Sequence, residues 1–262
     1  MSRMYGKANV LSKQDCEDVS KKIISLKEYW IERTIAGQKL HTLGVSAFAD
    51  GPKFREEPSE SYKNSVNLYN KLLSENFNFI YKALLKSVSG IYGDSKFLDN
   101  SPLPGFFIYG GDDGFTVNNL SQESVNIHID NSFNNLGVIL SNYSEVDYNK
   151  CIAITLSIVL PAGGAGMMVW DQPDIGIYSN NLYSKYIKNI EFKNKDYNKR
   201  FMEDHVSNYT PELIEYSVGD MLHIDSKVVH AVSHGIDIKD GDQRITMQAF
   251  GIKCDGVWRL TF

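Results

Sequence analysis

The sequence predicts an α+β protein that is mostly β: a sandwich or jelly roll with N-terminal helices packed on it. Three observations lead there. Apolar residues recur at helical spacing only within the first hundred positions. From Pro102 onward the chain breaks into short strands punctuated by Gly, Asn, Asp and Pro. No linker or internal repeat divides the 262 residues, so one domain over 1–262 accommodates both parts.

Within the helical part, 1–100, Ser12 followed by Asp15 marks an N-cap, and Val19, Ile23, Leu26 and Trp30 then repeat along one face. A second helix covers about 61–88, with Leu68, Leu72, Leu73, Ile80, Leu84 and Leu85 on its apolar side. Between them, AFADGPKFREEPSES reads as a loop from its Gly, Pro and charge. In the β core, 102–262, the segments PGFFIYGG, FTV, VNIHID, CIAITLSIVLP, GMMVW, IEYSV, DMLHID, VVHAV, RITMQAFGI and GVWRLTF read as strands. So many short strands can satisfy their edges by closing on one another. Asp171–Pro211 interrupts this rhythm with a Tyr-, Asn- and Lys-rich segment of helical or irregular character, and an excursion of that length in a compact domain reads as a lid, with disorder as the alternative.

Composition narrows the function. A hydrophobic share of 42% supports a sizeable core. The net charge of -5, with no long Lys/Arg run, argues against nucleic acid, whose binding depends on neutralising phosphates. The basic stretch Lys185–Arg200 reads as a solvated face, with steering of an anionic substrate as the alternative. Cys16, Cys151 and Cys254 are far apart and form no CxxC pair, which disfavours a disulfide framework and a thiolate zinc site. No stretch approaches the roughly 20 apolar residues of a membrane span, and no signal core opens the chain. A cytoplasmic protein acting on a small molecule, away from membranes, is the expectation. Oligomeric state is not legible.

The histidines carry the chemistry. In His128-Ile129-Asp130, at the end of a strand, alternation projects the imidazole and the carboxylate to the same side. A second His from a partner strand would complete two nitrogens and one carboxylate on one face of a metal. That arrangement, with open positions opposite, suits non-haem Fe(II). His230 supplies it, ten residues after Asp220 in the strand that follows Gly219-Asp220. His234 is its rival, but four residues along a strand is about 13 Å, so both cannot hold one ion. His223, on the parity of Asp225, reads as an outer supporting or surface group, and His41 and His205 as ordinary exposed or capping residues. Arg244 follows across a Gly/Asp-rich turn and can place a cation in the sheet interior.

Taken together, His128, Asp130, His230, Arg244 and Thr246 resemble the HxD…H…R pattern of the iron(II)/2-oxoglutarate-dependent oxygenase superfamily, with a hydroxyl residue two after the Arg. The match covers about 102–251. It is loosely like the small-molecule bacterial hydroxylases and free-standing halogenases through PAGGAGMMVWD and VNIHIDN. The resemblance implies a double-stranded β-helix, Fe(II) on His128, Asp130 and His230, and 2-oxoglutarate held by Arg244 with Thr246. It also implies O2 as co-reactant, and hydroxylation of an unactivated C–H bond with succinate and CO2 as coproducts. Halogenases of this kind replace the metal-binding carboxylate by Gly or Ala, so Asp130 favours hydroxylation or a related oxidation. The interval from His128 to His230 is longer than in compact members, and the excess falls in Asp171–Pro211, the expected lid.

Asn126 and Asn131 flank the HxD as candidate supports of the ligands. Phe107, Tyr109, Phe133, Val169 and Trp170 are candidate pocket residues. Each alternatively belongs to the core. A protein-substrate hydroxylase, and a non-catalytic or cupin-like metal-binding β-helix, are the competing readings.

Overall fold

The computed structural model describes residues 5–35, 38–52, 56–110, 125–130, 133, 136–170 and 209–262. Expected features in 171–208, which hold nearly all of the proposed lid, and the FTV strand lie outside them.

Two sheets face each other. The larger runs β1 (Tyr5–Asn9), β11 (Asp220–Asp225), β7 (Val146–Val159), β14 (Gln243–Cys254), β5 (Gly105–Gly110), β3 (Gln38–Leu43), β2 (Ile31–Ile35), and β15 (Val257–Thr261) joins β14 to β4 (Ser95–Phe97). The smaller runs β10 (Glu212–Ile214), β9 (Met167–Trp170), β12 (Val229–Val232), β6 (Val125–His128). A short pair, β8 (Gly163–Gly164) with β13 (Gly235–Ile236), stands beside it. From β5 onward the chain passes back and forth between the sheets: β5 large, β6 small, β7 large, β9 and β10 small, β11 large, β12 small, β14 large. That alternation is the jelly roll, a double-stranded β-helix.

The expected helices form. Helix α1 (Lys13–Ser25) opens with a complete capping box: Asp15 N–H donates to Ser12 Oγ at 3.1 Å, and Ser12 N–H donates to the Asp15 carboxylate at 3.0 Å. After the single turn α2 (Ala47–Asp50), α3 (Glu60–Tyr92) extends beyond the expected bounds and bends at Phe77. There the Asn76 side-chain amide donates to the Leu72 carbonyl at 2.7 Å, competing with the helical bond at that oxygen. Val19 and Ile23 of α1, with Phe77, Ile80 and Leu84 of α3, cover the outer face of the large sheet at Phe106, Ile154, Leu156, Ile245 and Met247. Leu68, expected on the apolar side, is 56% exposed, because the face that meets the sheet runs through Leu73, Phe77 and Ile80 instead.

The first hundred residues are not helical throughout, however. β1, β2, β3 and β4 lie among them. β1, with the sequence YGKAN, has little strand character of its own. Its partners come from β11, where Tyr5 lies opposite Ile224 and Asn9 opposite Asp220. The turn into β11 explains Gly219-Asp220. Asp220 accepts from Ser217 N–H at 2.9 Å and from the Asn9 amide at 3.1 Å. Gly219, at φ +87°, sits against the Leu11 carbonyl, where a Cβ would collide.

The inner faces meet over Cys151, Ala153, Leu222, Ile224 and Phe250 of the large sheet and Met167, Val169 and Val228 on or beside the small one. Phe133, Leu136 and Ile139 fill the same cluster around α4 (Gly137–Leu140). Farther along β7 and β14 the inner face turns polar, at Ser157, Arg244 and Thr246. Among the described residues no helix is long and apolar enough to cross a membrane.

Candidate metal centre

β6 and β12 pair antiparallel with His230 opposite His128, which brings the two imidazoles to 4.3 Å between ring centres. Asp130 follows directly after β6, held there because its N–H donates to the Ser226 carbonyl at 2.9 Å. Its two carboxylate oxygens lie 3.8 Å from His128 Nε2 and 3.4 Å from His230 Nε2. Among the described residues these three form the one group whose ligand atoms all lie within 4.8 Å of one another. Asp130 and His230 are nearly enclosed, whereas the His128 side chain remains 42% exposed, so the cluster opens on the His128 side.

The protonation of His230 follows from its neighbours. Its Nδ1 lies 2.9 Å from the Val228 carbonyl, which can only accept, so Nδ1 carries the proton and Nε2 presents a lone pair. Burial, reinforced by the charge of His128 and opposed by Asp130 and the Val228 carbonyl, pushes the His230 pKa down to about 4. At neutral pH a lone pair on Nε2 therefore faces a carboxylate oxygen with no hydrogen between them. A cation bound by both resolves that conflict, and nitrogen–oxygen donors of this kind suit Fe(II).

His234 does not join the cluster. It is exposed beyond β12, and its carbonyl accepts from Ala165 N–H at 3.0 Å. His223 lies on the opposite, helix-facing side of the large sheet, its Nδ1 2.6 Å from the Tyr92 hydroxyl. His41 is half-buried beside the Trp30 ring. His205, Asn131 and the Asn126 side chain lie outside the described part.

Arg244 is 3% exposed on the inner face of β14. Its Nη2 donates to the Tyr216 hydroxyl at 2.8 Å, its guanidinium carbon lies 5.6 Å from the centre of the Tyr109 ring, and its Nε has no hydrogen-bond partner among the described residues. Among the described residues no carboxylate pairs with it. The hydroxyl of Thr246, fully buried two residues on, also has no partner among the described residues. A buried cation beside a spare donor is an arrangement a guest carboxylate completes.

The other candidates divide by strand parity. Tyr109 lies opposite Arg244 and Phe107 opposite Thr246, so both aromatic rings share the guanidinium's face, stacked 6.3 Å apart. Val169 lies opposite His230 on the inner face of β9, and Phe133 is buried edge-on to Phe250. Trp170 lies apart from these. One residue beyond Val169, its side chain falls on the outer face with Val229 and Ala231, and its indole N–H donates to the Tyr209 carbonyl at 3.3 Å. Sequence reasoning passed over Tyr216 and Ser157. Ser157 was detectable in principle, since Thr155 and Ser157 are the alternate polar positions of an otherwise apolar strand.

No protein-family model matches the sequence, and no curated protein matches it. Solved structures do. An N-substituted L-amino acid dioxygenase from Burkholderia ambifaria AMMD, in complex with alpha-ketoglutarate, superposes with a TM-score of 0.50 at 13% identity, covering 98% of this chain and 86% of that one. An oxidoreductase of the 2OG-Fe(II) oxygenase family from Burkholderia pseudomallei gives a TM-score of 0.47 at 9% identity, over 94% and 84% of the two chains. HygX from Streptomyces hygroscopicus, with nickel and 2-oxoglutarate bound, gives 0.47 at 10% identity, over 96% and 83%. The first of these carries the comparison: the chain has the double-stranded β-helix fold of the Fe(II)/2-oxoglutarate oxygenases. That is the fold which the HxD…H…R resemblance implies.

Proposed function

We propose that the protein is a non-haem Fe(II)/2-oxoglutarate-dependent oxygenase of a small molecule, such as an amino acid or a specialised metabolite, and that it hydroxylates an unactivated C–H bond. The observation that carries this reading is the pairing of two half-sites across one interior. His128, Asp130 and His230 converge from β6 and β12, and Arg244, with no carboxylate partner among the described residues, lies on β14 of the facing sheet.

In this reading His128 and His230 bind the metal as neutral imidazoles and Asp130 as a carboxylate. The Val228 carbonyl fixes the tautomer of His230, and the backbone bond to Ser226 holds Asp130 in place. Arg244 binds the distal carboxylate of 2-oxoglutarate, Thr246 adds a hydroxyl donor, and the Tyr109 ring shields the guanidinium from water. Bound there, Fe(II), 2-oxoglutarate and O2 supply the oxidative chemistry, with succinate and CO2 as coproducts. The chain's own work is to hold these groups and a C–H bond in register. The retained carboxylate at Asp130 favours oxygenation over halogenation. The dioxygenase named for N-substituted L-amino acids supports a small, free substrate.

Anaerobic titration with Fe(II) and then 2-oxoglutarate should produce a weak visible charge-transfer band. On admitting air, incubation with metabolite pools should yield succinate and a product that has gained one oxygen atom or lost two hydrogens. No band and no succinate under any condition would move the assignment to a metal-binding β-helix without oxygenase activity.

A further inference from the structure

Ser226 opens the turn that leads from β11 into β12, and both of its backbone groups are engaged. Its N–H donates to the Cys151 carbonyl at 3.0 Å, and its carbonyl accepts from Asp130 N–H at 2.9 Å. Its side chain is different. The residue is 0% exposed, and its hydroxyl has no hydrogen-bond partner among the described residues. The acceptors nearest to it along the chain are already taken. The Asp225 carboxylate accepts from Lys227 N–H at 2.9 Å, the Asp225 carbonyl accepts from Val228 N–H at 2.9 Å, and the Val228 carbonyl faces His230 Nδ1 at 2.9 Å.

Asp130 has the opposite need. Its side chain is 11% exposed, and among the described residues no N–H or O–H donates to its carboxylate, whose oxygens face the Nε2 atoms of His128 and His230 at 3.8 and 3.4 Å. An ion held between these groups takes one carboxylate oxygen and leaves the other enclosed, anionic and in want of a donor. A carboxylate that gripped the ion with both oxygens would fill a position that a facial triad has to leave open. The hydroxyl without an acceptor and the carboxylate without a donor thus belong to two residues joined backbone to backbone.

We propose that Ser226 is a positioning residue of the metal centre. Its hydroxyl donates to the Asp130 oxygen that does not bind the ion, and so holds that carboxylate to ligation through one oxygen. A neutral donor suits this task, because it orients the carboxylate and leaves its negative charge for the cation. The inference rests on the reading of His128, Asp130 and His230 as the metal ligands.

The experiment is calorimetric titration with Ni(II) of four metal-free proteins: the parent, Ser226→Ala, Asp130→Ala and the double variant. Ser226→Ala should weaken Ni(II) about tenfold, as expected when a ligand loses its supporting partner. Asp130→Ala should weaken it further, with the two imidazoles still taking the ion. In that background Ser226→Ala should change nothing, since its effect passes through the carboxylate. Metal-free Ser226→Ala should melt no lower than the parent, having lost only an unpartnered hydroxyl. Infrared difference spectra of Zn(II)-loaded against metal-free protein read the ligation itself. The separation of the two carboxylate stretches, wide for ligation through one oxygen, should narrow in Ser226→Ala. Should Asp130→Ala bind Ni(II) as tightly as the parent, the metal reading fails and this inference with it. Should Asp130→Ala weaken binding while Ser226→Ala leaves both affinity and separation unchanged, the metal centre stands and Ser226 is excluded from it. An equal loss on replacing Ser226 in both backgrounds, or a lowered metal-free melting temperature, would make the hydroxyl structural and overturn its assignment.

Discussion

Replacing Arg244 by Met separates a binding cation from a structural one, because the two roles predict opposite effects on the ligand-free protein. The guanidinium is 3% exposed, with one hydrogen bond, to Tyr216, and among the described residues no carboxylate partner. Burying an ion carries a penalty of several kcal/mol unless it is paired, while the Tyr216 bond returns about 1 kcal/mol. Met fills a similar volume without the charge. The metal-free variant should therefore be at least as stable as the parent, against the usual trend for a buried substitution. With ligand the order reverses. At a hundredfold excess over its dissociation constant, 2-oxoglutarate should stabilise the Ni(II)-loaded parent by about 2.7 kcal/mol. At about 2–4 °C per kcal/mol for a chain of this size, that is a rise of about 5–10 °C in melting temperature. Arg244→Met should keep the shift caused by Ni(II) and lose the one caused by 2-oxoglutarate, both read by thermal melting under anaerobic conditions. The reasoning is refuted if the variant retains the 2-oxoglutarate shift, or if it loses several kcal/mol of stability before any ligand is added.

Three further outcomes follow from the same geometry. His230→Ala should abolish metal binding whereas His234→Ala should leave it intact, measured by metal content after dialysis; the reverse result would misplace the third ligand. In the metal-free protein His230 stays neutral down to about pH 4, while in the unfolded chain the imidazole protonates near its ordinary 6.5. Its stabilising contribution is thus full above about pH 6.5 and is lost as pH falls towards 4, by about 3 kcal/mol in all. Urea midpoints at several pH values should show that loss in the parent and not in a folded His230→Gln variant; equal slopes in the two would refute it. Gly105→Ala should destabilise by about 1–3 kcal/mol, since the new Cβ would lie 2.8 Å from the Leu43 carbonyl oxygen and against the buried Phe262 ring. An unchanged urea midpoint for that variant would mean the β3–β5 contact yields more readily than its packing suggests.

Local information in the sequence was enough to point to the fold class. Alternation in VNIHID put His128 and Asp130 on one side of a strand end, and capping chemistry at Ser12 and Asp15 started α1. The order HxD…H…R pointed to a fold that the structure then displayed. The first two are decided within a few residues of themselves, by backbone period or by hydrogen bonds three residues apart, and the last is legible as an order of residue types along the chain. Long-range pairing decided the remainder. YGKAN becomes a strand only because β11 offers it an edge, so no period within the first hundred residues could reveal it. His230 was separable from His234 by spacing, but its neutral, metal-ready tautomer depends on burial and on the Val228 carbonyl. Trp170 and Val169 read alike in sequence, yet strand parity against β12 sends one outward and the other to His230. Tyr216 carries no motif at all, and Ser157 only the polar parity it shares with Thr155 on its strand. They meet Arg244 and Thr246 because β7 and β14 pair and the segment between β10 and β11 folds across them, and that proximity exists only once the sheets have closed.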